Sequence, residues 1–424
     1  MLALRLARGA HPLVQFRRLL VTAASAGTGF LLLCTLGYAM AHPGAPAGSV
    51  LRLTWCLAPA AATVYFAVAV ARTDPGTRPR PGLSAIGLGP ARLMAYSAVT
   101  TALSCGLGSL LALLLFLHLR GDLTGMPFDG AASGLLAAGR PLPLPGILTL
   151  LALVPLAASL ASAVVLRPRP GSGPYGGGRS GEPEQTEGTR PGEAGDALGD
   201  QGHYPSPGHP DAVRSAQHPA PPLPTPGGLP WGVALLAAGL AIETYGSRSG
   251  PAPGLALPGG LTGGPAAVLA GWLLTAVGLA LAGPGITHLC GWLLQAVRPG
   301  ALRLLAGRGL QEEGRRVGRP LGVMCAVASG AYALATLYAG VRPSFGPLTT
   351  LGGVLVVGCA AATLATSAVE ARQARAATTA ALLRLGAAPR ALRSAAALRV
   401  GALAAVFGPL TWGVAELAAI PLTG

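Results

Sequence analysis

The chain has 424 residues, of which 51% are hydrophobic and 11% charged, with 63 Gly, 39 Pro and a net charge of +15. An ordinary soluble domain carries about 25% charged residues, so the composition, with a mean hydropathy of +0.55, excludes that class and indicates a polytopic, all-α membrane protein. All 30 basic residues are Arg and Lys is absent, the signature of a GC-rich (bacterial) genome; a Walker phosphate-binding loop needs a Lys, so this chain carries no ATPase motif of that kind.

A spanning helix takes about 20 mostly apolar residues, because its backbone must satisfy its own hydrogen bonds in hydrocarbon. In chain order that window predicts spans at 19–41, 53–71, 93–119 and 146–166. The first begins after Arg17 and Arg18 and is too long for the core of a signal peptide, so it is read as a retained helix. Residues 167–229 then change character, with 14 Gly, 13 Pro and seven acidic residues in 63 positions. Such a composition buries too little apolar surface to offset its ordering entropy, and a disordered cytoplasmic linker is expected. Further spans follow at 230–245, 265–283, 320–340, 348–369 and 397–417, making about nine.

Between the sixth and seventh spans, residues 285–319 alternate apolar positions (Ile286, Leu289, Trp292, Leu293) with Arg298, Arg303, Arg308, Arg315 and Arg316. That pattern suits one or two helices lying at the inner interface, in contact with anionic lipid or, through Glu312, Glu313 and the Arg residues, with a partner. The Arg residues fall between apolar segments rather than along one face of a soluble domain, which argues against nucleic-acid binding. Placing the N-terminus inside puts 25 of the 30 Arg on the inner side, leaving only Arg52, Arg120, Arg140, Arg248 and Arg342 outside. Inner loops are Arg-enriched, so a multi-pass protein of the cell membrane with a cytoplasmic N-terminus is expected.

Sliding the chain along itself by 299 residues lays 19–41 on 318–340 and 53–71 on 352–370. The same offset lays Ile86-Gly87-Leu88-Gly89-Pro90-Ala91-Arg92-Leu93 on Leu385-Gly386-Ala387-Ala388-Pro389-Arg390-Ala391-Leu392. Two related halves follow: 1–166 as a first four-helix repeat and 284–424 as an interfacial helix with a shortened three-helix repeat. Residues 230–283 are two extra helices between them, after the linker 167–229. In the second turn an apolar helix edge ends at Gly386 and Pro389 can open the next helix, leaving Arg384, Arg390 and Arg393 free to face water or a partner.

The run Val369-Glu370-Ala371-Arg372-Gln373-Ala374-Arg375, followed by Leu382-Leu383-Arg384-Leu385-Gly386-Ala387-Ala388-Pro389-Arg390, resembles the coupling turn of FtsX-like (MacB-type) ABC transporter permeases. The resemblance implies that a partner ABC ATPase contacts Ile86, Gly87, Pro90 and Arg92 at the first turn and Arg384, Leu385, Gly386, Pro389, Arg390 and Arg393 at the second. It further implies that ATP-driven closure of the ATPase tilts the attached helices, in a homodimer or heterodimer; with so little chain outside the membrane, a hydrophobic substrate is expected to be moved or extracted. The chain departs from the family in having short intervals at 42–52 and 341–347 where a large extracytoplasmic domain is usual. It also ends at Gly424, before the counterpart of 146–166. The alternatives are a non-transporting scaffold or degenerate permease, and an ATP-independent carrier.

Chemistry-bearing residues are sparse. His118, Glu243, Arg399 and Glu416 fall near the ends of spans and read as interfacial anchors rather than the midplane charges of an ion-coupled carrier. The six Cys lack CxxC spacing and read as small buried apolar residues, and His203, His209 and His218 are too loosely spaced for a metal site. No catalytic residue, metal or cofactor is assigned, and membrane lipids are the remaining partner.

Overall fold

In a computed structural model, the described residues are 12–73, 90–123, 130–134, 136–167, 227–248, 266–296, 300–337 and 346–423. They form helices and turns, with no strand among them. The helices are α1 (Pro12–Ala41), α2 (Pro46–Thr73), α3 (Pro90–Arg120), α4 (Leu144–Val165), α5 (Leu229–Arg248), α6 (Ala266–Ala296), α7 (Ala301–Leu337), α8 (Pro347–Arg384) and α9 (Pro389–Thr423). Nine helices among the described residues are long and apolar enough to cross a membrane, so the chain is a multi-pass membrane protein. The expected linker 167–229 lies outside the described residues but for its ends, as does the first turn from 74 to 89.

Helices α1 to α4 pack on one another with α1 at the centre. Leu33, Phe116 and Ile147 from α1, α3 and α4 meet in one buried cluster. Hydroxyls hold the same helices by reaching for backbone carbonyls, the usual solution where no water competes. Ser25 Oγ donates to Cys105 O at 2.8 Å, Ser109 Oγ donates to Leu151 O at 3.0 Å, and the Thr28 and Thr63 hydroxyls pair at 2.8 Å. Beyond α3, Arg120 is buried, pairs with Asp122 at 3.4 Å and donates to Arg140 O, while Arg140 donates to Met40 O. These bonds tie the loop after α3 back onto the end of α1.

The remaining helices form a chain of contacts: α5 on α6, α6 on α7, then α7 on both α8 and α9. At the α5–α6 seam a Cβ added to Gly278 would lie 2.6 Å from Leu236 N and 2.9 Å from its Cα, so only glycine permits that approach. Helix α8 also packs on α2 and α1. Thr63 lies 3.9 Å from Cys359 Sγ there, and Leu351 and Leu355 close on Leu31, Leu32, Cys56 and Val154. All six cysteines are buried and unpaired. Outward positions such as Leu103, Leu107, Leu110 and Leu114 on α3 are more than half exposed, as a lipid-facing surface requires.

The segment 285–319 differs from its expected form. Residues through Ala296 continue α6 past Pro284, and 301–319 open α7, which runs on through Pro320. The physical reason is close packing: Gly291 and Gly307 let the two helices meet, a Cβ on Gly291 lying 2.6 Å from Gly307 O. Proline is tolerated inside such helices because packed neighbours satisfy the freed backbone groups.

Candidate functional site

Three helices extend well past their apolar stretches on one side of the bundle. Helix α8 has 38 residues, about 57 Å at 1.5 Å per residue, against a hydrocarbon core of about 30 Å. Its apolar stretch ends at Glu370, and Arg372, Arg375 and Arg384 follow. The first half of α7 carries Arg303, Arg308, Glu312, Glu313, Arg315, Arg316 and Arg319, and α9 opens with Arg390, Arg393 and Arg399. Such lengths cannot all lie in hydrocarbon, so a charged helical base projects from the membrane.

The turn joining α8 to α9 is built at the tip of this base. Ala387 N–H donates to Leu382 O at 3.0 Å and Gly386 N–H to Leu383 O at 3.1 Å, with Gly386 at φ +89°. This is a Schellman ending, in which a left-handed residue lets the last carbonyls find donors, and Gly adopts that conformation without strain. Pro389 begins α9, where the N–H it lacks has no helical acceptor to miss. The turn holds Leu385 at 84% exposure, with Arg384, Arg390 and Arg393 exposed around it. An apolar tip in a basic collar thus stands exposed on a four-residue connection.

Long-range polar contacts brace the turn against α7. Arg375 on α8 forms an ion pair with Glu313 on α7, and its Nε also donates to Ala371 O at 3.1 Å. Arg399 on α9 donates to Leu305 O at 3.0 Å, and its guanidinium lies against Gly309, where a Cβ would sit 2.5 Å from Cζ. A cleft of about 1160 Å³ opens between α7, α8 and α9 behind the turn.

The turn residues Arg384, Leu385, Gly386, Pro389, Arg390 and Arg393 are thus brought together. Of the first turn, Ile86 and Gly87 lie outside the described residues, Pro90 opens α3, and Arg92 is exposed on its first turn. Pro90 and Pro389 each begin a helix and differ by the offset of 299. In both parts of the chain the first helix (α1, α7) packs on the second and third, while α2 touches α3 only lightly and no packing of that size joins α8 to α9.

Two residues are placed otherwise than the sequence suggests. Glu243 is fully buried rather than at a helix-end surface: Thr275 Oγ1 donates to its Oε1 at 3.1 Å, and its Oε2 has no partner among the described groups. Arg399 is a cross-brace between α9 and α7 rather than a free anchor. The Glu313–Arg375 pair joins positions 62 apart, for which no local spacing gives a signal. Among the described residues no group of three or more His, Cys, Asp or Glu side chains could hold a metal ion. Comparison with protein-family models, with curated proteins and with solved structures finds no match.

Proposed function

We propose that the chain is the membrane-spanning subunit of an ABC transporter in the cell membrane, with its N-terminus inside, and that it hydrolyses nothing itself. A partner ATPase docks on the turn at 382–393 and on the corresponding turn at 83–93. The observation that carries this reading is the exposed Leu385 on a Schellman turn, at the end of a helix that outruns its apolar stretch and is braced to α7. A force on the turn passes along α8, which packs on α2 and α1 of the first half, so ATP-driven closure shifts one half against the other. The likeness of the two halves in helix order and packing supports a two-repeat permease. The short intervals between spans favour a lipid or hydrophobic peptide as substrate.

A cross-linker placed at Leu385 in native membranes tests the docking: the account expects covalent capture of one Walker-motif ATPase, and capture of lipid or of this chain alone contradicts it.

A second reading, an ion-coupled carrier, is favoured by one observation, the enclosed Glu243 between α5 and α6, since buried carboxyls in spans mark ion pathways. Substrate flux in vesicles without ATP, abolished by Glu243→Gln, selects it over the first.

A further inference from the structure

The cleft behind the turn has a charge pattern that, Arg393 apart, docking at its tip does not use. Its walls present Arg308, Arg372, Arg375, Arg393 and Arg399. Arg375 is offset by Glu313, and Glu312 is the one carboxylate in the lining, which leaves an excess of three positive charges facing one space. Arg308, Arg372 and Arg393 are exposed, and Arg399 Nε is buried without an acceptor among the described groups. Guanidinium groups lining one cleft suit a phosphoryl anion, whose oxygens accept their forked donors.

Apart from Gln295, Thr378 and Thr379 the other walls are apolar, and they point to a membrane lipid rather than a soluble anion. Leu304, Leu305, Leu382 and Leu392 line the same space. On α9, Arg393, Ala396 and Val400 follow helical spacing along one face, and Val400 is 68% exposed. The cleft therefore opens onto a lipid-facing strip that leads from the charged base toward the apolar stretch of α9, a path for acyl chains below a held headgroup.

We infer that the cleft between α7, α8 and α9 binds the phosphoryl headgroup of an anionic phospholipid. The cleft shares Leu382, Leu392 and Arg393 with the turn proposed as the ATPase dock, but lipid retention by the chain alone does not depend on the ATPase reading. Such a lipid bridges three helices, fixing the angle at which α8 and α9 leave their turn.

The test is native mass spectrometry of the full chain in neutral detergent, titrated in separate arms with phosphatidylglycerol, phosphatidylcholine and inorganic phosphate. The wild type is expected to retain one phosphatidylglycerol in preference to phosphatidylcholine and to ignore phosphate. Arg308→Gln/Arg372→Gln/Arg393→Gln is expected to bind it roughly 100-fold more weakly, at about fivefold per Arg. Arg315→Gln/Arg316→Gln/Arg319→Gln removes the same charge from exposed α7 positions outside the lining and is expected to bind as the wild type does. Equal loss in both variants, unchanged binding in the first, or inorganic phosphate competing off the lipid at similar concentration overturns the inference.

Discussion

Replacing Gly386 with Ala isolates the backbone requirement of the turn. A Cβ at Gly386 meets nothing within 4 Å, so no packing change accompanies the substitution and the cost is conformational. At φ +89° an L-residue is disfavoured by about 1–2 kcal/mol. That corresponds to about a 5- to 30-fold shift toward the opened turn, since each 1.4 kcal/mol is a factor of ten. Two amides report it directly, those of residues 386 and 387, which donate to Leu383 O and Leu382 O. Hydrogen exchange of the peptide covering 382–391, in detergent or nanodiscs, is expected to accelerate by that factor. Gly386→Asn is expected to fall between, because Asn tolerates the left-handed region better than Ala. Gly401→Ala is the internal control, since it also has open space around it but sits inside α9, where Ala is favoured by about 0.5–1 kcal/mol. Unchanged exchange in Gly386→Ala, or the same sign of effect at both positions, refutes the assignment of Gly386 as an obligatory left-handed residue.

The other expectations follow from single contacts. A double-mutant cycle of Glu313→Gln and Arg375→Gln is expected to give a coupling of about 1 kcal/mol that shrinks with added salt, because the Arg375 side chain is one-third exposed; salt-independent coupling contradicts an ion pair. Thr275→Val removes the donor to Glu243 Oε1 and is expected to cost about 0.6–1.7 kcal/mol, the range for interhelical hydrogen bonds in membranes, measured as stability in detergent; no loss would remove the bond from the α5–α6 seam. Gly278→Ala drives a Cβ to 2.6 Å from Leu236 N and is expected to destabilise that hairpin by about 1–3 kcal/mol, seen as lost cysteine cross-linking between α5 and α6, whereas Gly413→Ala, with open space, leaves it intact.

The spans were legible because hydrocarbon imposes a length and a composition, and the nine apolar stretches correspond to nine helices among the described residues. What the stretches conceal is where helices continue beyond them. Residues 370–384 carry four charges and no spanning signal, yet α8 runs through them, held by the contact of Arg375 with Glu313 on another helix. The expected spans stop at 283 and begin at 320, yet Pro284 and Pro320 lie inside α6 and α7, where packing between distant glycines carries the helices on. The second turn was legible to the residue, because Gly386 and Pro389 act through their own backbones. Glu243 was not, because its burial comes from helix α6, and a carboxyl near the end of a short apolar run has no local mark that distinguishes an enclosed group from an anchor.

The most direct measurement of the central claim is quantitative purification of the tagged chain from its native membrane in mild detergent, wild type beside Leu385→Asp. A Walker-motif ATPase is expected in stoichiometric amount with the wild type and is expected to be lost from the variant, while both chains insert and remain monodisperse. A folded wild-type chain that brings no ATPase, or a Leu385→Asp chain that keeps all of it, contradicts the account.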